Sequence, residues 1–86
     1  MKANYETLLK LYDIQVISGQ HKKGISIKRL ARILNEPFKK IYNRVYMSWK
    51  RGFTVDITGE KGKKKVTINK NGISRIKWIK ENSKIN

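Results

Sequence analysis

The chain has 86 residues, no cysteine and a formal charge of +15, from 21 Lys and Arg against 6 Asp and Glu. That length holds one small domain with a single modest core, and the missing cysteine excludes disulfides and thiolate metal sites, so a cytoplasmic location is the expectation. The lysines are not interleaved with glutamate as on a thermophile's solvated surface, and so large a surplus favours a polyanion, nucleic acid or anionic lipid.

Residues 4–18 read as a helix capped by Asn4, with Tyr5, Leu8, Leu9, Tyr12 and Val16 at helical spacing and Gly19 closing it. Gln20 to Gly24 form a polar loop containing His21, the chain's single histidine. Ile25-Ser26-Ile27 suits a short strand, and Ser26 also suits the N-cap of a second helix, Ile27 to Leu34. Ile27, Leu30, Ala31 and Leu34 fall on one face of that helix, with Lys28, Arg29 and Arg32 pointing away. Asn35 tolerates the left-handed turn that ends a helix, and Pro37 suits the first turn of the next. This third helix is predicted from about Pro37 to Arg51, with Phe38, Ile41, Val45 and Trp49 as its inner stripe and Gly52 as its stop. The pattern then changes to period two in Phe53 to Ile57 and again in Lys65 to Asn69, two strands of a hairpin about a turn rich in Gly and Lys. Asn71-Gly72 is read as breaking the second strand. Ile73, Ile76, Trp78 and Ile79 support a last helix to about Asn82, with residues 83–86 frayed.

The predicted order is helix, short strand, helix, helix, hairpin, helix. ISIKRLARILNEPFKKIYNRVYMSWKRGF, residues 25–53, resembles the core of winged helix-turn-helix DNA-binding proteins. The resemblance rests on Leu30-Ala31, on Leu34, Ile41 and Val45 at the family's spacing, and on Gly52 eleven residues after Ile41. VTINKNGISRI is similar to the second wing strand running into the closing helix, with Ile68, Asn69 and Gly72 in the places of a Leu-Thr-x-x-Gly pattern. Departures are Asn69 for Thr, Glu36 where an apolar residue is common, and Ser48 where a core Leu is expected. The resemblance covers roughly residues 5–82 and implies an α+β winged helix-turn-helix occupying the whole chain, 1–86.

That fold implies a third helix lying in the major groove, where base edges present a distinguishable pattern of donors and acceptors. The candidates for base reading are Lys39, Lys40, Tyr42, Asn43 and Tyr46. Asn43 can pair with adenine, and the lysines can donate to guanine or phosphate. The tyrosines can meet a thymine methyl or a phosphate, although Tyr42 suits a core or dimer contact equally. Candidates for phosphate or wing contacts are Lys28, Arg29, Arg32, Arg44, Lys50, Lys61, Lys63, Lys64 and Lys65. The hairpin lysines have a second reading, protection of a strand edge from aggregation. From Lys22 to Lys65 there are 14 Lys and Arg against Glu36, Asp56 and Glu60, so +11 of the +15 lies in about half the chain.

Catalysis is not expected: His21 sits alone in a loop, the six carboxylates are scattered, and no phosphate-cradling glycine loop is present. No cofactor, metal site or small-molecule ligand is expected. No apolar stretch nears the roughly 20 residues that cross a bilayer, and MKANYETLLK lacks the apolar h-region of a signal peptide. The leading expectation is a sequence-specific transcription regulator on double-stranded DNA. It would act as a homodimer, with Leu11, Ile14, Ile17 and Trp78 as seam candidates unless they wrap the small core. A non-specific architectural or replication-associated DNA binder and an RNA-binding winged helix are the alternatives, since fold does not fix function. The Ile- and Lys-rich, cysteine-free composition also resembles small regulators of thermophilic archaea and their viruses and plasmids.

Overall fold

The computed structural model describes residues 2–60 and 62–83. Helix α1, Lys2–Tyr12, continues into a π-helical turn, Asp13–Ile17, so Asn4 lies within the helix and does not cap it. Its buried face is Leu8, Leu11, Tyr12 and Gln15, spaced i, i+3, i+4 and i+7, together with Thr7. Val16, expected on the inner stripe, is 38% exposed. Gln15 takes the inner place because backbone groups satisfy its whole amide. Its Oε1 accepts from the Ile68 N–H at 2.7 Å, and its Nε2 donates to the Val66 and His21 carbonyls at 3.2 and 2.8 Å.

Strand β1, Ile25–Ser26, runs directly into helix α2, Ile27–Leu34. Ser26 therefore fills both of its expected roles. It pairs with Lys65 in the sheet, and its Oγ accepts from the Arg29 N–H at 3.2 Å. Ile27, Leu30 and Ala31 are buried, and Asn35 ends the helix at φ 54°. Pro37 stands just before helix α3, Phe38–Met47, and its carbonyl accepts from the Ile41 N–H at 3.3 Å. Ile41 and Val45 enter the core as expected. Phe38 and Trp49 do not: they are 45% and 39% exposed, because they fall beside the stripe, on the flank facing the hairpin.

A second π-helical turn, Ser48–Gly52, carries α3 to the glycine expected to stop it, and Phe53 then turns left-handed at φ 51°. Strand β2 begins at Val55, two residues later than expected, and runs to Thr58. The N–H and Oγ1 of Thr54 both donate to the Ser48 carbonyl, at 3.1 and 3.3 Å, which holds residue 54 to the turn instead of a strand partner. Strand β3, Lys65–Ile68, lies between β1 and β2, antiparallel to both, with Val66 opposite Ile25 and Ile57.

Asn69, not Asn71-Gly72, ends β3. Its side-chain oxygen accepts from the Gly72 N–H at 3.0 Å at the start of helix α4, Lys70–Ser83. Gly72 lies inside the first turn of that helix. A Cβ there would collide with the Thr54 carbonyl oxygen and lie 2.6 Å from Ile68 Cγ1, so only a hydrogen fits. The expected fraying of 83–86 falls, beyond Ser83, outside the described residues.

The result is an α+β fold of four α-helices and a three-stranded antiparallel sheet, in the element order expected of a winged helix-turn-helix. Leu30, Ile41, Val66 and Ile76 are each 0% exposed and join α2, α3, β3 and α4 in one core. Burying each contributes about 1.5–3 kcal/mol. Of the seam candidates, Leu11 is buried in that core and Ile14 packs against it, whereas Ile17 and Trp78 are both 64% exposed.

Candidate nucleic-acid interface

With Ile41 and Val45 fixing its inner side, α3 turns Lys39, Lys40 and Asn43 to solvent, and Lys50 on the following turn is exposed as well. The outer face expected from the sequence comprises these four and Tyr46; Tyr46 is instead half-buried, because it lies on the flank that meets Lys64. Tyr42 and Tyr46 are half-buried and lie on the flank of the helix nearest the hairpin. They belong to an aromatic row along α3. Phe38 to Tyr42 is 5.7 Å between ring centroids, Tyr42 to Tyr46 is 4.6 Å, and Tyr46 meets Trp49 edge-on at 5.7 Å. Spacing of four residues puts such rings on one face, a signal present in Phe38, Tyr42 and Tyr46 that counting inner and outer stripes passes over.

The hairpin turn is tied to this row. Lys64 donates from Nζ to the Tyr46 hydroxyl at 2.9 Å and stands 5.5 Å from its ring centroid. The ammonium holds the Tyr46 hydroxyl below its ordinary pKa, aided by a hydrogen bond with Tyr42. The reciprocal contact raises Lys64. Tyr42 is raised, first by its hydrogen bond with Tyr46 and then by partial desolvation. Lys64 is therefore a brace between hairpin and helix as well as a positive charge near the surface.

Lys63 and Lys65 are exposed, and Lys61 lies outside the described residues. Gly59 sits at φ +98°, and a Cβ there would come 2.7 Å from the Lys63 carbonyl oxygen, so the turn needs glycine at that point. Lys28, Phe38, Tyr42, Lys63 and Lys64 line a cleft of about 430 Å³ between the start of α2, α3 and the hairpin turn. Arg29 and Arg32 are exposed on α2. Arg44 is committed elsewhere: it pairs with Glu36 at 2.7 Å and fastens α3 to the turn before it.

Among the described residues, no three His, Asp or Glu side chains gather as metal ligands. No described helix is long and apolar enough to cross a membrane. His21 is exposed at φ 52°, and its carbonyl serves Gln15.

No protein-family model matches the chain, and no curated protein matches it in sequence. Its fold is similar to the crystal structure of a candidate DNA-binding protein from Ralstonia eutropha JMP134, with a TM-score of 0.76 over 92% of this chain and 95% of the other. The two sequences are 18% identical, so the likeness is one of fold, and it spans nearly the whole of both chains.

Proposed function

We propose that this protein is a sequence-specific double-stranded DNA-binding transcription regulator, with α3 in the major groove and the lysine-rich turn 58–65 on the backbone or in the minor groove. The observation that carries this reading is the exposed set Lys39, Lys40, Asn43 and Lys50 on the solvent side of α3, beside a hairpin turn bearing Lys63 and Lys65. A helix of this width fits the major groove, and a primary amide on its outer face can pair bidentately with adenine. The similarity to the Ralstonia protein supports a nucleic-acid partner for this fold.

In this reading Asn43, Lys39 and Lys40 read bases. Tyr42 and Tyr46 shape the flank of the helix, with Tyr46 turned to a phosphate through the Lys64 brace. Lys28, Arg29, Arg32, Lys50, Lys61, Lys63 and Lys65 contact phosphates, and Arg44 orients α3 through Glu36. A single small domain buries only about 600–1,000 Å² on DNA, so two copies on a partly palindromic site would raise specificity. Ile17, exposed on the first π-helical turn, is available for that contact.

The test is a duplex selected from a random pool. Asn43→Ala should reduce affinity for that duplex about 10- to 100-fold and leave binding to a scrambled duplex unchanged. Equal losses on both duplexes would contradict base reading by α3.

A further inference from the structure

On the molecule's other flank, α1, the Ser48–Gly52 turn and α4 line an open cleft of about 620 Å³. We infer that this cleft is a binding site for a small apolar organic anion, of the class of an aromatic carboxylate. Its volume falls in the range that takes a small ligand. Leu8, Met47, Trp78 and Ile79 give it apolar walls, and Arg51 and Arg75 enter it from two separate elements. Trp78 is 64% exposed and Met47 39%, so large apolar surfaces face water there.

The arginines decide the ligand's charge. Among the described residues Arg44–Glu36 is the one ion pair, so no described carboxylate neutralises Arg51 or Arg75. A guanidinium presents a planar fork of donors that matches a carboxylate. Two such forks beside an indole and aliphatic walls suit a ligand with one anionic end and one apolar body. Neutral apolar molecules would leave the forks unused. A second copy of the chain is a poorer occupant, because α4 carries Lys70, Arg75, Lys77 and Lys80 against Glu81. A contact through the cleft would set that surplus against another +15 chain.

The site also touches α3. Met47 is the last residue of that helix, and Ser48, Arg51 and Gly52 belong to the turn continuing it. An occupant that fits one setting of this turn better than another shifts the helix carrying Lys39 and Asn43. This coupling rests on the DNA reading given above; the site itself does not.

The probe is naphthoate, titrated into the isotope-labelled full chain and followed by NMR, with naphthylmethanol as the neutral control. Naphthoate should saturate, moving the Trp78 indole N–H and the Leu8 and Ile79 amides, and should bind about tenfold or more tightly than the alcohol. Arg51→Gln and Arg75→Gln, both exposed and so compatible with folding, should each lower naphthoate affinity about tenfold and leave the alcohol unaffected. Equal affinity for the two probes, or shifts centred on Lys39 to Asn43, would overturn the site. So would a dimer in sedimentation that Trp78→Ala abolishes, since a second copy would then fill the cleft. A chain that binds naphthoate as described but binds no duplex confirms the site and removes only the DNA reading.

Discussion

Two helices end in the same backbone device and turn it to opposite uses. The π-helical turn after α1 points Gln15 inward, where its amide meets three backbone groups and is 5% exposed. The π-helical turn after α3 buries none of its residues and leaves Trp49, Lys50 and Arg51 in solvent. Single π turns are rare and concentrate at functional places. Here one completes the sheet: β1 is only two residues long, and Gln15 serves β3 where a longer strand would have run. The other works as surface, feeding Lys50 to one flank and Arg51 to the other. A polar residue thus gains its meaning from the direction in which its turn faces.

The largest effect should come from breaking the inward turn. Gln15→Leu keeps the volume but leaves the Ile68 N–H without its 2.7 Å partner, together with the Val66 and His21 carbonyls. Stability to urea should fall by about 2–4 kcal/mol, the range for stranding buried backbone groups. A loss under about 0.5 kcal/mol would mean that water replaces the amide and that the two turns do not differ. Next in size, Gly72→Ala forces a methyl against the Thr54 carbonyl and Ile68, and should cost about 1–3 kcal/mol by the same measurement.

A smaller effect tests the brace on the outward side. Tyr46 is lowered from its ordinary 10.0 by Lys64, and Lys64 is raised from 10.5 by Tyr46. The folded chain thus releases the Tyr46 proton earlier than the unfolded chain, so stability rises with pH from the lowered Tyr46 value up to 10.0. It holds the Tyr42 and Lys64 protons longer, so stability falls again above 10.0 for Tyr42 and above 10.5 for Lys64, up to their raised values. Ultraviolet difference titration should show Tyr46 ionising early, ahead of Tyr42, and Lys64→Met should remove that early phase. An unchanged titration would show that the brace does not hold in solution. The smallest effect belongs to the outward turn itself: Arg51→Gln should change folding stability by less than about 0.5 kcal/mol.

The sequence made the frame legible wherever apolar spacing and local chemistry agree. Ile27, Leu30 and Ala31 mark the inner side of α2, Ser26 and Asn35 its ends, and Ile41 and Val45 the inner side of α3. Each of those features is local, needing only residues within a turn of one another. Gln15 was not legible, because its partners lie 51 and 53 residues away on β3, and a pattern of hydrophobicity assigns its place to Val16. Phe38 and Trp49 misled for the converse reason: aromatic residues count as core, but here they extend the Tyr42–Tyr46 row along the surface. The outer set Lys39, Lys40, Asn43 and Lys50 follows from the α3 stripe, but the same stripe assigns Tyr46 to it, and Tyr46 lies half-buried on the flank. The Lys64 brace and the Arg44–Glu36 pair needed the folded chain, since each joins residues from different segments.

The proposed function requires α3 and the hairpin turn to bind duplex DNA with sequence preference. The most direct test titrates the full chain with a duplex selected from a random pool and with its scramble, across a range of salt concentrations. With about eight phosphates neutralised, log affinity should fall against log salt with a slope of roughly −7. The selected duplex should win by more than about a thousandfold at physiological salt. Equal affinity for both duplexes with the same steep slope would contradict the claim and mark a non-specific architectural protein, and failure to bind either duplex would contradict it altogether.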